Sequence, residues 1–443
     1  MSAKRQINLG VFVYPYGHSR GGWLLPTVPK NAATDVEYHR ELARTAERGT
    51  LDFMFYADGP VFQDIGGNGR APHGVNKLEP VTLITALSCA TSKLGFIATV
   101  STSYSEPFNV ARQFAAADHI SKGRIGWNVV TTDSQHAAAN FGGETIAPED
   151  RYARAREFVD VAFGLWDSFE PGAVTADRES AVYLDVSKVH PLNFQGKHLS
   201  VRGPLDVERS PQGRPVIAQA GGSEDGLELA AMSADVVFSV ANNPEKARET
   251  RLSIRERAAK YNRSPDEIKF LPGLSIIAGA TDAEAQAKLD LLVNTMPPAM
   301  GMASLSMFLG VDLSSVALDE PFPVEILPEK PKASSALFEA YVAFVKQGKT
   351  LRQLIRLFAE KQLGNGVTGS AQRVADTLEE WLAAEAADGF ILMFPMLPTG
   401  LEDFVTFVVP ELRRRGIFRE DYESDHLRGN LGLRYPENRH MRR

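Results

Sequence analysis

Six side chains and one glycine carry the chemistry of a ligand site: His18, Asp58, Thr102, Asn128, Tyr152 and Ser223, with Gly222 beside the last. Each follows an apolar run or opens a helix. His18 lies in Tyr16-Gly17-His18-Ser19-Arg20-Gly21-Gly22, too polar and glycine-rich for a core. A titrating imidazole there can donate or accept a proton, although a solvated loop histidine is the commoner case. Asn128 falls inside the run Ile125 to Val130, where a buried amide is not expected without partners. A ligand-facing role follows. Gly221-Gly222-Ser223 turns tightly into a helix. Its glycines let backbone approach a ligand, and first-turn amides attract anions such as phosphate. The plainer reading is a serine N-cap whose helix dipole Glu224 and Asp225 already complement; those acids disfavour a phosphate unless they point away. Tyr152 opens its helix where its hydroxyl would near the same face, with ordinary packing as the alternative. His73 and His136 are weaker candidates in neighbouring loops, His119 reads as structural, and Trp127 reads as core.

What the chain lacks narrows the chemistry. There is no Gly-x-Gly-x-x-Gly after a strand, no phosphate loop with a Lys, and no His-x-His or His-Glu-x-x-His metal pattern. Hydrolytic barrels generally need a metal or an activated nucleophile, so the chemistry is expected to rest on an organic cofactor. The net charge of −7 argues against non-specific nucleic-acid binding. The lone cysteine, Cys89, permits no disulfide within the chain and reads as a small core residue. No apolar run approaches the length of a membrane span, and the first apolar stretch is too short for a secretion signal. The expectation is a cytoplasmic globular protein.

Eight strand-like runs alternate with helices to position these residues. They are Ile7 to Tyr14, Leu51 to Ala57, Leu94 to Val100, Gly123 to Val130, Pro215 to Ala220, Asp235 to Ser239, Phe270 to Ala278 and Gly389 to Phe394. The intervening helices begin at clear caps, such as Asp35 before Val36 to Arg48 and the Glu-Pro pairs at 79–80 and 106–107. Such alternation implies parallel strands and right-handed crossovers. A doubly wound open sheet would read the same way, but eight units favour a closed (β/α)8 TIM barrel. Such a barrel takes about 250 residues, and this chain has 443. A single domain with long insertions at about 59–78, 171–214 and 295–366 is therefore expected. The polar candidates then meet at the C-terminal rim of the strands. The basic tail from Arg428 is expected on the surface or on a partner subunit.

Gly123-Arg124-Ile125-Gly126-Trp127-Asn128-Val129-Val130-Thr131, then Asn140-Phe141-Gly142, then Arg151-Tyr152 before a helix ending Leu165-Trp166-Asp167-Ser168 form a specific pattern. It closely resembles the flavin-dependent monooxygenases of the nitrilotriacetate/dibenzothiophene-sulfone class, within the bacterial luciferase-like superfamily. Leu42 to Gly49, Ser101-Thr102-Ser103-Tyr104 and Ser210 to Pro215 extend the resemblance, which runs over about 7–290 and 366–435. It implies a barrel that binds reduced FMN from a separate NAD(P)H-dependent flavin reductase and uses dioxygen to oxygenate a small organic substrate. It further implies flavin contacts from Asp58, Thr102, Asn128, Tyr152, Gly222 and Ser223, with Tyr152 and Ser223 at the phosphate, and a proton-handling His18. A homodimer or homotetramer is implied as well. One departure is Pro148, where many members carry a histidine that contacts the flavin. The alternatives are a coenzyme F420-dependent hydride-transfer enzyme, against which the Asn128–Tyr152 segment argues, and a flavin-binding protein without turnover. Sulfur, nitrogen and halogen compounds all remain open as substrates.

Overall fold

Eight parallel strands close into a barrel in the computed structural model, which describes residues 5–62, 75–240, 243–328, 335–363 and 366–441. The strands are β1 (Asn8–Phe12), β2 (Phe53–Tyr56), β3 (Gly95–Ser101), β4 (Ile125–Val130), β5 (Val216–Ala220), β6 (Val236–Ser239), β7 (Lys269–Gly279) and β8 (Gly389–Met393). Each pairs with the next, and β8 pairs with β1, so no edge is left open within the ring. Alternation along each strand sends Phe53, Phe55, Ile97, Ala218, Phe238 and Ile391 inward, into one cluster. The intervening residues, such as Leu9, Met54, Phe96, Trp127 and Leu392, pack outward against the helices. At Gly10 the inward position must stay bare, because a Cβ there would lie 2.3 Å from the Phe53 ring.

The outer ring follows the caps. Asp35 accepts from the amides of Glu37 and Tyr38 at the start of α1 (Val36–Arg48). Glu79 does the same for α2 (Pro80–Ser88). Further round come α3 (Pro107–Ile120), α4 (Pro148–Trp166), α5 (Glu224–Ser233), α6 (Pro244–Ala258), α7 (Asp282–Thr295) and α8 (Ala371–Ala383). Helix α4 starts at Pro148 rather than Arg151, since proline suits a first turn whose N–H has no partner.

Three expectations change. Strand β7 runs one residue further at each end than expected, and its C-terminal half pairs with an unexpected extra strand, Gly366–Ser370, which periodicity does not distinguish from loop. Cys89 is exposed at the end of α2, not core. The tail lies only partly on the surface: Arg434, Tyr435 and Glu437 are exposed, but Leu427, Leu431 and Leu433 enter the inner cluster and plug the N-terminal mouth of the barrel. Arg428, 4% exposed, pairs with Asp235 at 2.9 Å, and Arg419 pairs with Asp52 at 2.7 Å. Both aspartates immediately precede strands, so the charges sit under the barrel, opposite the candidate site.

The 171–214 excursion forms two small hairpins, Val174–Asp177 with Val182–Leu184 and Phe194–Gln195 with Ser200–Val201. The 295–366 insertion carries helices Pro298–Leu309, Ser335–Val345 and Leu351–Leu363 around a separate core that includes Leu305, Phe322, Tyr341 and Phe358. Met307 on it is exposed. Arg20, in the loop after β1, donates to Ser304 of the first helix at 2.6 Å and ties the insertion to the rim.

Candidate active site

Asn128 points into the lumen near its C-terminal end, opposite Thr99 and Ala218. Its amide nitrogen donates to the Thr99 hydroxyl at 2.9 Å. Its carbonyl oxygen is buried with no hydrogen-bond partner. Burying an acceptor this way costs about 1–3 kcal/mol, which a ligand N–H would recover.

The second cluster joins two helix starts. The Tyr152 hydroxyl lies 3.1 Å from Ser223 Oγ. Ser223 caps α5 by accepting from the Gly226 amide at 3.2 Å. A Cβ at Gly222 would meet nothing within 4 Å, so the turn opens onto free space. Glu224, one of the two acids that would repel an anion, is drawn aside to Arg257 at 2.6 Å. Helix start, hydroxyl pair and open turn together suit a phosphate.

His18 sits six residues past β1, its ring edge-on to Phe12 and Tyr14 at centroid distances of 4.9 and 4.8 Å. Its Nε2 lies 3.0 Å from the Phe12 carbonyl, so that nitrogen carries the proton in the neutral ring. Asp58, just past β2, forms an ion pair with Lys77, which also donates to the Gly59 carbonyl at 2.9 Å. Thr102 differs from expectation in one respect. It is fully buried, and both its amide and hydroxyl donate to the Val130 carbonyl, at 2.9 and 3.2 Å, bracing β3 against β4. His136 is exposed, and His73 lies outside the described residues.

A cavity of about 470 Å³ opens beside this rim, over β1, β2 and the loop after β4. Asp58 and Thr131 line it, whereas Asn128, Tyr152, Gly222 and Ser223 do not. Residues 59–61 and Val75, Lys77 and Leu78 form part of its wall, and no described residue of the 295–366 insertion does. His39 on α1 also lines it and went unnoticed in the sequence. It is 1% exposed; burial pushes its imidazole down to about 4, and Nδ1 lies 3.3 Å from the Tyr56 hydroxyl. The available signal was its place on the apolar face of α1, with Leu42, Ala43 and Ala46 three, four and seven residues on.

The family model for luciferase-like monooxygenases matches residues 19–388. The chain belongs to the luciferase-like monooxygenase family. It is 43% identical to N-acetyl-S-(2-succino)cysteine monooxygenase of Bacillus subtilis (strain 168), over 100% of both chains. Nitrilotriacetate monooxygenase component A of Aminobacter aminovorans is 42% identical, over 99% of each. The solved structure of EDTA monooxygenase from Chelativorans sp. BNC1 superposes with a TM-score of 0.79 at 31% identity, covering 97% of this chain and 99% of that one. A closed barrel and monooxygenase relatives across the full length make this protein an enzyme of the flavin-dependent monooxygenase class. Among the described residues no group of three or more His, Cys, Asp or Glu is placed to hold a metal, and no helix is long and apolar enough to cross a membrane.

Proposed function

We propose that the enzyme is the oxygenase half of a two-component system, taking reduced FMN from a separate NAD(P)H-dependent flavin reductase. The Tyr152–Ser223 hydroxyl pair at the open Gly222 turn carries this reading. Those hydroxyls and the first amides of α5 would hold the phosphate. Asn128, with its unsatisfied acceptor, would take a ring N–H, and Asp58 borders the same rim. Thr102 would act from behind, holding β3 and β4 in place. Bound reduced flavin would supply the two electrons with which dioxygen delivers one oxygen atom to a small organic substrate. His18, held against Phe12 and Tyr14, would move a proton at that edge.

Two relatives act on nitrilotriacetate and on a succinylated cysteine, as their names state. Sulfur-, nitrogen- or halogen-bearing small molecules are accordingly the substrate range for this chain, with no role for nucleic acid or membrane. A cytoplasmic homodimer or homotetramer completes the proposal. Hydride transfer with coenzyme F420 and flavin carriage without turnover are the competing activities. The decisive measurement supplies flavin reductase, NADH and FMN, then follows oxygen uptake and product mass with a panel of such compounds. Labelled oxygen in a product supports the reading. Flavin oxidation without any oxygenated product, or substrate reduction without oxygen uptake, overturns it.

A further inference from the structure

We infer that the wall of the cavity formed by α1 and β2 recognises an uncharged acceptor oxygen, so that the substrate presents a carbonyl, sulfoxide or sulfone group to His39 and Tyr56. It rests on the oxygenase reading only for the claim that the occupant is substrate.

One hydrogen bond joins His39 to Tyr56. His39 and Tyr56 are 1% and 6% exposed, and their Nδ1 and hydroxyl lie 3.3 Å apart. If Tyr56 donates, the neutral ring keeps its proton on Nε2, which is buried and makes no hydrogen bond. If Nδ1 donates instead, the Tyr56 O–H is left over. Either tautomer leaves one donor without an acceptor. The Ala33 carbonyl lies close enough to favour a protonated ring, yet forms no hydrogen bond with Nε2. An unmade buried hydrogen bond is costly, so an acceptor entering the cavity gains what the protein forgoes.

Charge then selects among acceptors. Around the pair the lining is apolar, from Val13, Ala33, Pro80 and Leu83. Among the described lining residues Lys77 is the one lysine or arginine, and it is bound to Asp58. The other acid, Asp133, faces Arg151 at 3.9 Å. Among the described residues a substrate carboxylate pressed against His39 would therefore meet no free cation, and an uncompensated buried charge is far costlier than a neutral dipole. Burial keeps the imidazole neutral at ordinary pH, so the ring does not provide the missing charge.

Calorimetry on the full chain with acetophenone, ethylbenzene and benzoate tests this, the three probes matching in size but not in acceptor or charge. Acetophenone should bind about tenfold more tightly than the other two, the worth of one neutral hydrogen bond. In the double variant His39→Leu/Tyr56→Phe that advantage should vanish while ethylbenzene binding stays unchanged, which also certifies the fold. Benzoate binding as tightly as acetophenone, an advantage that survives the double variant, or no binding by any probe overturns the inference. Should the double variant not fold, the wild-type ranking decides alone. Turnover of the compound panel with reduced FMN and oxygen separates the two readings. The expected ranking without oxygenated product would sink the oxygenase and spare the cavity; product with the ranking reversed would do the opposite.

Discussion

Tyr152 and Ser223 are 71 residues apart, yet their hydroxyls meet at 3.1 Å. Tyr152→Phe and Ser223→Ala should each weaken FMN binding about tenfold, as loss of a hydrogen bond to a charged group does, with the fold intact. Fluorescence titration reads this directly, and unchanged affinity in both variants removes them from the phosphate. His18→Ala should lose oxygenated product while retaining flavin affinity; normal turnover would make it a bystander. His39 adds a pH dependence. Its folded value lies near 4 against 6.5 for the free side chain. Between those values the unfolded chain binds a proton that the folded chain refuses. Stability should therefore fall as pH drops from about 6.5 to 4, by up to about 3 kcal/mol. The urea midpoint of the wild type should fall relative to that of His39→Leu as pH drops, and parallel curves would discard the assignment.

At the scale of elements, cap chemistry was readable where local hydrogen bonds decide the boundary. Asp35 meets the amides of Glu37 and Tyr38 at 3.0 and 3.3 Å, and Asp35→Ala should cost about 1 kcal/mol, measured as a shift of the denaturation midpoint at constant slope. A loss below a tenth of that would mean the turn holds without its cap. Partnership defeats local reading elsewhere. The far half of the Lys269–Gly279 ladder is supplied by Gly366–Ser370, some ninety residues later, a strand that went unexpected. Thr102, expected by resemblance to contact the flavin, is fully buried. Its hydroxyl is instead consumed by Val130 on the neighbouring strand, which no pattern within β3 encodes.

For the whole molecule, the two mouths of the barrel divide the labour. The C-terminal rim gathers the candidate site, while the N-terminal mouth is closed by the tail and its buried ion pairs. Asp235 accepts from the Ile217 amide at 2.8 Å as well as from Arg428. Arg428→Ala should leave that carboxylate buried without its cation, at a cost of about 3–5 kcal/mol. Thermal and urea denaturation would register it with FMN affinity at the opposite mouth little changed. A loss under about 1 kcal/mol would show that the tail only rests against the barrel.

Strand alternation, the order of βα units and the caps of α1 and α2 are local properties, written in hydrophobic period and hydrogen-bonding type, and they lead to the barrel without coordinates. Asp58, Asn128 and Ser223 were legible for the same reason, since parallel strands bring every C-terminal end to one face. Which polar atoms there are already spent is a different matter. Thr102 is satisfied, Asn128 Oδ1 is not, His39 and Tyr56 share a proton from neighbouring layers, and Arg428 of the basic tail is buried under the strands. Those outcomes depend on distances between segments far apart in the chain, and only packing sets them.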